Sequence, residues 1–135
     1  MRITPRHGNL SDAKLRVTGT LGDAAFSSAD PRQQEVAVLF TDGSDIAVCC
    51  TIAQTHWQRL FKKTFGFWDQ LARICPPIDD IRLSQRRTGA GIVISSPHFD
   101  ATQLSGSLMM TVRVGGSCAS STVQLRRVRK RIVFP

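Results

Sequence analysis

Short β-branched runs, in which apolar and polar residues alternate until Gly, Asp or Pro cuts them off, constrain this chain more than any other feature. Leu15, Val17, Gly19 and Leu21 alternate with Arg16, Thr18 and Thr20. That period of two puts one side of a strand on a core and the other in water. A loop rich in Ala, Ser, Asp and Pro follows. Next, Glu35 to Thr41 and Ile46 to Ile52 flank Asp42-Gly43-Ser44-Asp45, which reads as a hairpin because Gly accepts the positive φ of a tight turn. One face is expected to carry Val36, Val38 and Phe40 with Ile46, Val48, Cys50 and Ile52. Downstream, Ile81 and Leu83 alternate with Arg82 and Ser84, and Gly91 to Ser95 forms a further run expected to stop at Pro97. Leu108, Met110, Val112 and Val114 alternate with Met109, Thr111 and Arg113, then Gly115-Gly116-Ser117 turns into Cys118 to Leu125. Val128 to Phe134 closes the chain.

Strands at this spacing predict an all-β fold, an antiparallel β-sandwich or open barrel of about 7–9 short strands. With 135 residues, a single β-domain over 1–135 is expected. Such a chain buries about two thirds of its surface and is expected to need neither metal nor disulfides to fold. Residues 54–74 also admit a different reading. Trp57, Leu60, Phe61, Thr64, Phe65, Trp68 and Leu71 fall on helical spacing, which gives an α+β alternative with one helix there. Gly66 and the crowding of aromatics favour two strands instead.

Composition narrows the function classes. Hydrophobic residues make up 41% and charged residues 21%, which excludes a disordered chain. No apolar run reaches the roughly 20 residues of a membrane helix. The start, Met-Arg-Ile-Thr-Pro-Arg-His-Gly, lacks the apolar centre of a secretion signal. Net charge is +8, and it is uneven. Residues 1–55 hold five basic and six acidic side chains, net −1, whereas residues 56–135 hold thirteen and four, net +9. An anionic partner or a merely solvated Arg-rich surface both fit this balance.

The cluster Arg126, Arg127, Arg129, Lys130 and Arg131 is the sharpest local signal. Guanidinium forks suit phosphate and carboxylate oxygens, so these five are candidate anion-binding residues, with Trp57, Phe65 and Trp68 as stacking surfaces for a single strand. The same charges equally suit a solvated turn that protects an edge strand from pairing. Ile132, Val133 and Phe134 beside them are a candidate self-association edge.

Catalytic signals are weak. His7, His56 and His98 are scattered, and no cysteine pair has metal-ligand spacing, so no metal and no cofactor is expected. His98-Phe99-Asp100 and Asp79-Asp80 offer material for a proton-transfer dyad, but loop and turn positions explain them as well. Ser105-Gly106-Ser107 and Ser117 to Ser121 contain no G-x-S-x-G elbow. No small-molecule substrate is evident. Of the four cysteines, neighbours Cys49 and Cys50 should point to opposite faces of a strand, a bridge between them would be strained, and free buried thiols are the plain expectation.

Several segments together resemble a small all-β domain, often in tandem, of uncharacterised secreted bacterial proteins. They are the opening strand Lys14 to Leu21, the Thr51-Ile52 step, Trp57, Phe65-Gly66-Phe67-Trp68-Asp69, Thr88 to Ile94, the Phe99 to Leu104 step, Leu108 to Gly115, Gly115 to Cys118, Ser121 to Leu125 and Ile132-Val133-Phe134-Pro135. Two departures stand out: Thr51-Ile52 runs into Ala53 where the pattern has Pro, and lysine-rich stretches are partly replaced by Arg, Leu60, Trp68 and Leu71. The resemblance implies strands over 54–74, an extracellular or cell-surface location, and a disulfide joining Cys118 to Cys49, Cys50 or Cys75. Together these readings lead to the expectation of a non-enzymatic structural or adhesive β-sandwich that self-associates through edge strands. The alternative is a basic β-domain binding single-stranded nucleic acid through residues 126–131.

Overall fold

The computed structural model describes residues 2–6, 9–43, 45–102, 104, 107–124, 126–128 and 131–133. Twelve strands lie among them: β1 Arg2–Arg6, β2 Asn9–Leu21, β3 Val36–Asp42, β4 Asp45–Ile52, β5 Trp57–Phe61, β6 Thr64–Trp68, β7 Asp80–Gln85, β8 Ala90–Phe99, β9 Ser107–Val114, β10 Ser117–Gln124, β11 Arg126–Val128 and β12 Arg131–Val133. They form two antiparallel sheets, one of eight strands in the order β11-β12-β1-β2-β8-β7-β6-β5 and one of four in the order β10-β9-β3-β4. The fold is the expected all-β sandwich, with more strands than the alternating runs announced. No helix among the described residues is long and apolar enough to cross a membrane.

Alternation builds the core. In the small sheet Val36, Val38 and Phe40 of β3 lie beside Val114, Val112 and Met110 of β9, and all six are buried. In the large sheet Val17, Ile94, Ile81 and Phe67 form one continuous row across four strands, again all buried. The two apolar faces close on each other as in other sandwiches. The β7–β8 turn depends on Gly89, whose φ is +92° and where a Cβ would collide with the Leu21 carbonyl oxygen.

Residues 57–68 are a hairpin, so the helical alternative does not hold. Trp57 pairs with Phe67 and Arg59 with Phe65, across the tight turn at Lys62-Lys63. Burial follows the strand period: Phe65 and Phe67 are inside, while Leu60, Phe61 and Trp68, which a helix would have buried on the same stripe, face water. Adding β6 beside β7 satisfies its backbone groups and stacks Phe65 and Phe67 next to Leu83 and Ile81. That tertiary gain overrides a helical pattern already weakened by Gly66.

Three local expectations need correction. Ile46 is exposed, because the register shifts between Phe40 and Thr41 and brings Ile46 opposite Thr41 on the outer face; a one-residue bulge reverses which side a residue faces. Pro97 does not end its strand. β8 runs through it to Phe99, and the β2–β8 register shifts at that point, so the ladder needs no N–H from the proline. Ile132 and Val133 do not form an edge: β12 lies between β11 and β1, with Ile132 opposite both Ile3 and Arg127. β10 and β9 turn as expected at Gly115-Gly116, but the chain then crosses to the other sheet, where β11 supplies the edge.

Candidate functional site

The cysteines are joined differently from the expectation. Cys50 of β4 bonds to Cys75, with Cα atoms 5.1 Å apart, while Cys49 and Cys118 are exposed free thiols. Cys50 points inward and Cys49 outward, as strand alternation requires. Cys118 sits on the outer side of β10 opposite Arg113, turned away from the core that holds Cys75, so no bridge through Cys118 forms.

The proton-transfer dyad is not assembled as the sequence suggested. His98 Nδ1 lies 2.7 Å from Asp12 Oδ1, both side chains well exposed. Asp100 instead accepts the backbone N–H and the hydroxyl of Thr102, and the hydroxyl bond above all holds its carboxyl below the usual range. Asp80 faces Arg82 at 3.4 Å. Among the described residues, no three His, Cys, Asp or Glu side chains converge as metal ligands would.

Of the basic cluster, Arg126, Arg127 and Arg131 lie on β11 and β12 at one margin of the large sheet. His7, Ser105, Arg129, Lys130 and Phe134 lie outside the described residues. Trp57 and Phe65 are buried, Phe65 beneath the guanidiniums of Arg32 and Arg59. Only Trp68 of the three expected stacking surfaces is available, at 70% exposure.

Trp68 borders a feature that the sequence did not announce. On the outer face of the large sheet, Gln58, Gly66 and Arg82 form one row and Trp68 and Asp80 the next. A groove of about 500 Å³ runs across β5, β6 and β7 here, and Gly66 lies buried in it. Leu60 leans over the glycine so closely that a Cβ there would lie 2.9 Å from its Cδ1. His56 and Ser95 complete the rim, and Asp79 lines the groove beside Asp80. Burial, with the charge of Asp80 adding to it, pushes the Asp79 carboxyl above the usual range.

The groove end at Trp68 is held by the next residue. Asp69 accepts the backbone N–H groups of Arg73 at 2.7 Å, Ile74 at 2.8 Å and Leu71 at 3.3 Å, while its own N–H donates to the Asp79 carbonyl at 2.8 Å. These donors, Ile74 foremost, lower the Asp69 pKa. Folding therefore favours the carboxylate, so its contribution is complete above the ordinary value of 3.8 and is lost as pH falls through the lower folded value. Asp69→Ala is expected to speed amide hydrogen exchange across residues 71–74 and to flatten the acid-side decline of thermal stability relative to the parent. Unchanged exchange at Arg73 and Ile74 would refute that role.

The small sheet adds a second feature. Its margins are β4 and β10, each eight residues long. From Ser117 to Gln124 there is no charged residue and no proline, and in β4 the one charge is Asp45, at the first position. The margins of the large sheet differ in charge: β11 carries Arg126 and Arg127 and β5 carries Arg59, while β4 and β5 each have one register shift. Neither a scan against models of known protein families nor comparisons with curated proteins and with solved structures finds a match.

Proposed function

We propose that this chain is a non-enzymatic structural module of an exported protein, an extracellular β-sandwich that associates with further copies of itself through the margins of its four-stranded sheet. One observation carries the reading, the contrast between the two sheets. Edge strands expose a row of N–H and C=O groups that invites pairing, and proteins that must stay apart blunt them with charge, proline or a bulge. The large sheet has Arg126 and Arg127 on one margin and Arg59 with its irregular register on the other. β10 has eight residues with neither charge nor proline, and β4 has eight with Asp45 as its one charge and a single bulge near its start. Eight residues present an edge of about 27 Å. Export accords with the Cys50–Cys75 bridge and with the resemblance to tandem secreted β-domains.

Light scattering on the size-exclusion eluate over a concentration series tests this. The parent is expected to gain mass as concentration rises. Paired lysines on outward, exposed positions of the margins, Ala47→Lys with Thr51→Lys on β4 or Ser120→Lys with Thr122→Lys on β10, are expected to return the protein to a monomer through at least one margin, without loss of thermal stability. A parent that stays strictly monomeric at high concentration refutes the reading, as does association that survives lysines on both margins. Loss of mass only at high salt would point instead to the basic cluster and an anionic partner.

A further inference from the structure

The groove across β5, β6 and β7 lies on the other sheet from the proposed self-association margins, and its chemistry specifies a ligand of its own. Its apolar lining includes Leu60, which lies over the buried Gly66, and the indole of Trp68. A side chain as large as Trp68 at 70% exposure on a sheet face leaves a broad apolar surface in water, which marks a contact surface. The side walls are planar hydrogen-bonding groups. Gln58 stands across Gly66 from Arg82, two strand spacings apart, or about 10 Å. Asp80 stands beside Trp68 and 3.4 Å from the Arg82 guanidinium. Between them these side chains offer both donors and acceptors.

Charge narrows the choice. In a chain of net charge +8, this groove holds two carboxylates, Asp79 and Asp80, against one arginine. Phosphate or sulfate groups would meet those carboxylates directly, so a polyanion is disfavoured here. A purely apolar ligand would strip water from Asp80, Arg82 and Gln58 without replacing their hydrogen bonds. An uncharged ring with one C–H face and a rim of hydroxyls satisfies both halves at once. The volume of about 500 Å³ lies within the roughly 300–1,000 Å³ of ordinary ligand sites, and Trp68, Asp80 and Arg82 stand on strands paired on both sides, β6 and β7.

We propose that this groove binds a pyranose unit of a neutral glycan, its C–H face stacked on Trp68 and its hydroxyls held by Gln58, Asp80 and Arg82. Titration of the full chain with cellohexaose, maltohexaose and chitohexaose, followed by intrinsic fluorescence and by the two indole N–H resonances, tests it. At least one of the three is expected to saturate and to shift the Trp68 resonance while leaving that of buried Trp57 in place. Trp68→Ala and Arg82→Met are each expected to weaken binding by about tenfold or more, whereas Leu71→Ser, outside the groove, should not. Because the parent resonances report directly, the test does not depend on a variant folding. The proposal is overturned if none of the three saturates by about 10 mM, if binding persists in Trp68→Ala, or if Trp68 responds only to heparin or oligo-dT in a salt-dependent way. Repeating the titration on the monomeric lysine variants keeps this result separate from self-association, since their substitutions lie on the other sheet.

Discussion

Val112→Asp is expected to abolish the folded state. Val112 lies inside the small sheet between Val38 on β3 and Ala119 on β10, and it has no solvent exposure. Its neighbours on that face are Met110, Val114 and Val38, none of which offers a partner to a carboxylate. Burying an unpaired charge costs at least several kcal/mol even after relaxation, comparable with the about 5–15 kcal/mol that separates a folded domain from its unfolded chain. Near-ultraviolet circular dichroism should lose the signal of buried Trp57, and the cooperative thermal transition should disappear. Val112→Ala should cost only about 2 kcal/mol. Met109→Asp, on the outer face of the same strand, should stay within about 1 kcal/mol of the parent. If Val112→Asp unfolds cooperatively near the parent midpoint, the facing of β9 is wrong.

Removing the Cys50–Cys75 bridge is expected to produce the next largest effect. The bond spans 25 residues and encloses the whole β5–β6 hairpin, so breaking it frees a long loop in the unfolded chain. Loop-closure entropy for that length corresponds to about 3–4 kcal/mol. The double variant Cys50→Ser with Cys75→Ser avoids leaving one reactive thiol behind. It should unfold about 2 M earlier in urea, and the parent in dithiothreitol should shift to the same midpoint. Cys118→Ser, by contrast, should leave the midpoint unchanged, because Cys118 is an exposed free thiol. A shift on Cys118→Ser would restore a bridge through Cys118, to Cys49 if the double variant does not shift and to Cys50 or Cys75 if it does.

The alternation of residues 108–114, the Gly115-Gly116 turn, the Asp42-Gly43 hairpin and the opposite facing of Cys49 and Cys50 were all legible in the chain itself. Each is a property of one strand or one turn: successive side chains leave a pleated backbone on opposite sides, and a tight turn demands a residue that accepts positive φ. Residues 57–68 were ambiguous because their aromatics satisfy both a helical and a strand period. The neighbouring strand β7, which could bury Phe65 and Phe67 in only one of those forms, decided between them. Ile46 turned outward, and β8 continued through Pro97, because bulges are set by how two strands fit, not by either alone.

The same reason hid the groove. Gln58, Gly66, Trp68, Asp80 and Arg82 become neighbours only when β5, β6 and β7 pair laterally in one register, and no local spacing in the sequence marks them. Likewise, nothing in Ile132 and Val133 tells that β1 and β11 will flank them, or in Cys50 that Cys75 will meet it across the loop. Sequence alone determined which residues alternate and where the chain turns. Tertiary structure decided which strand lies next to which, because pairing energy depends on a partner that is distant in the chain and competes with every other edge available.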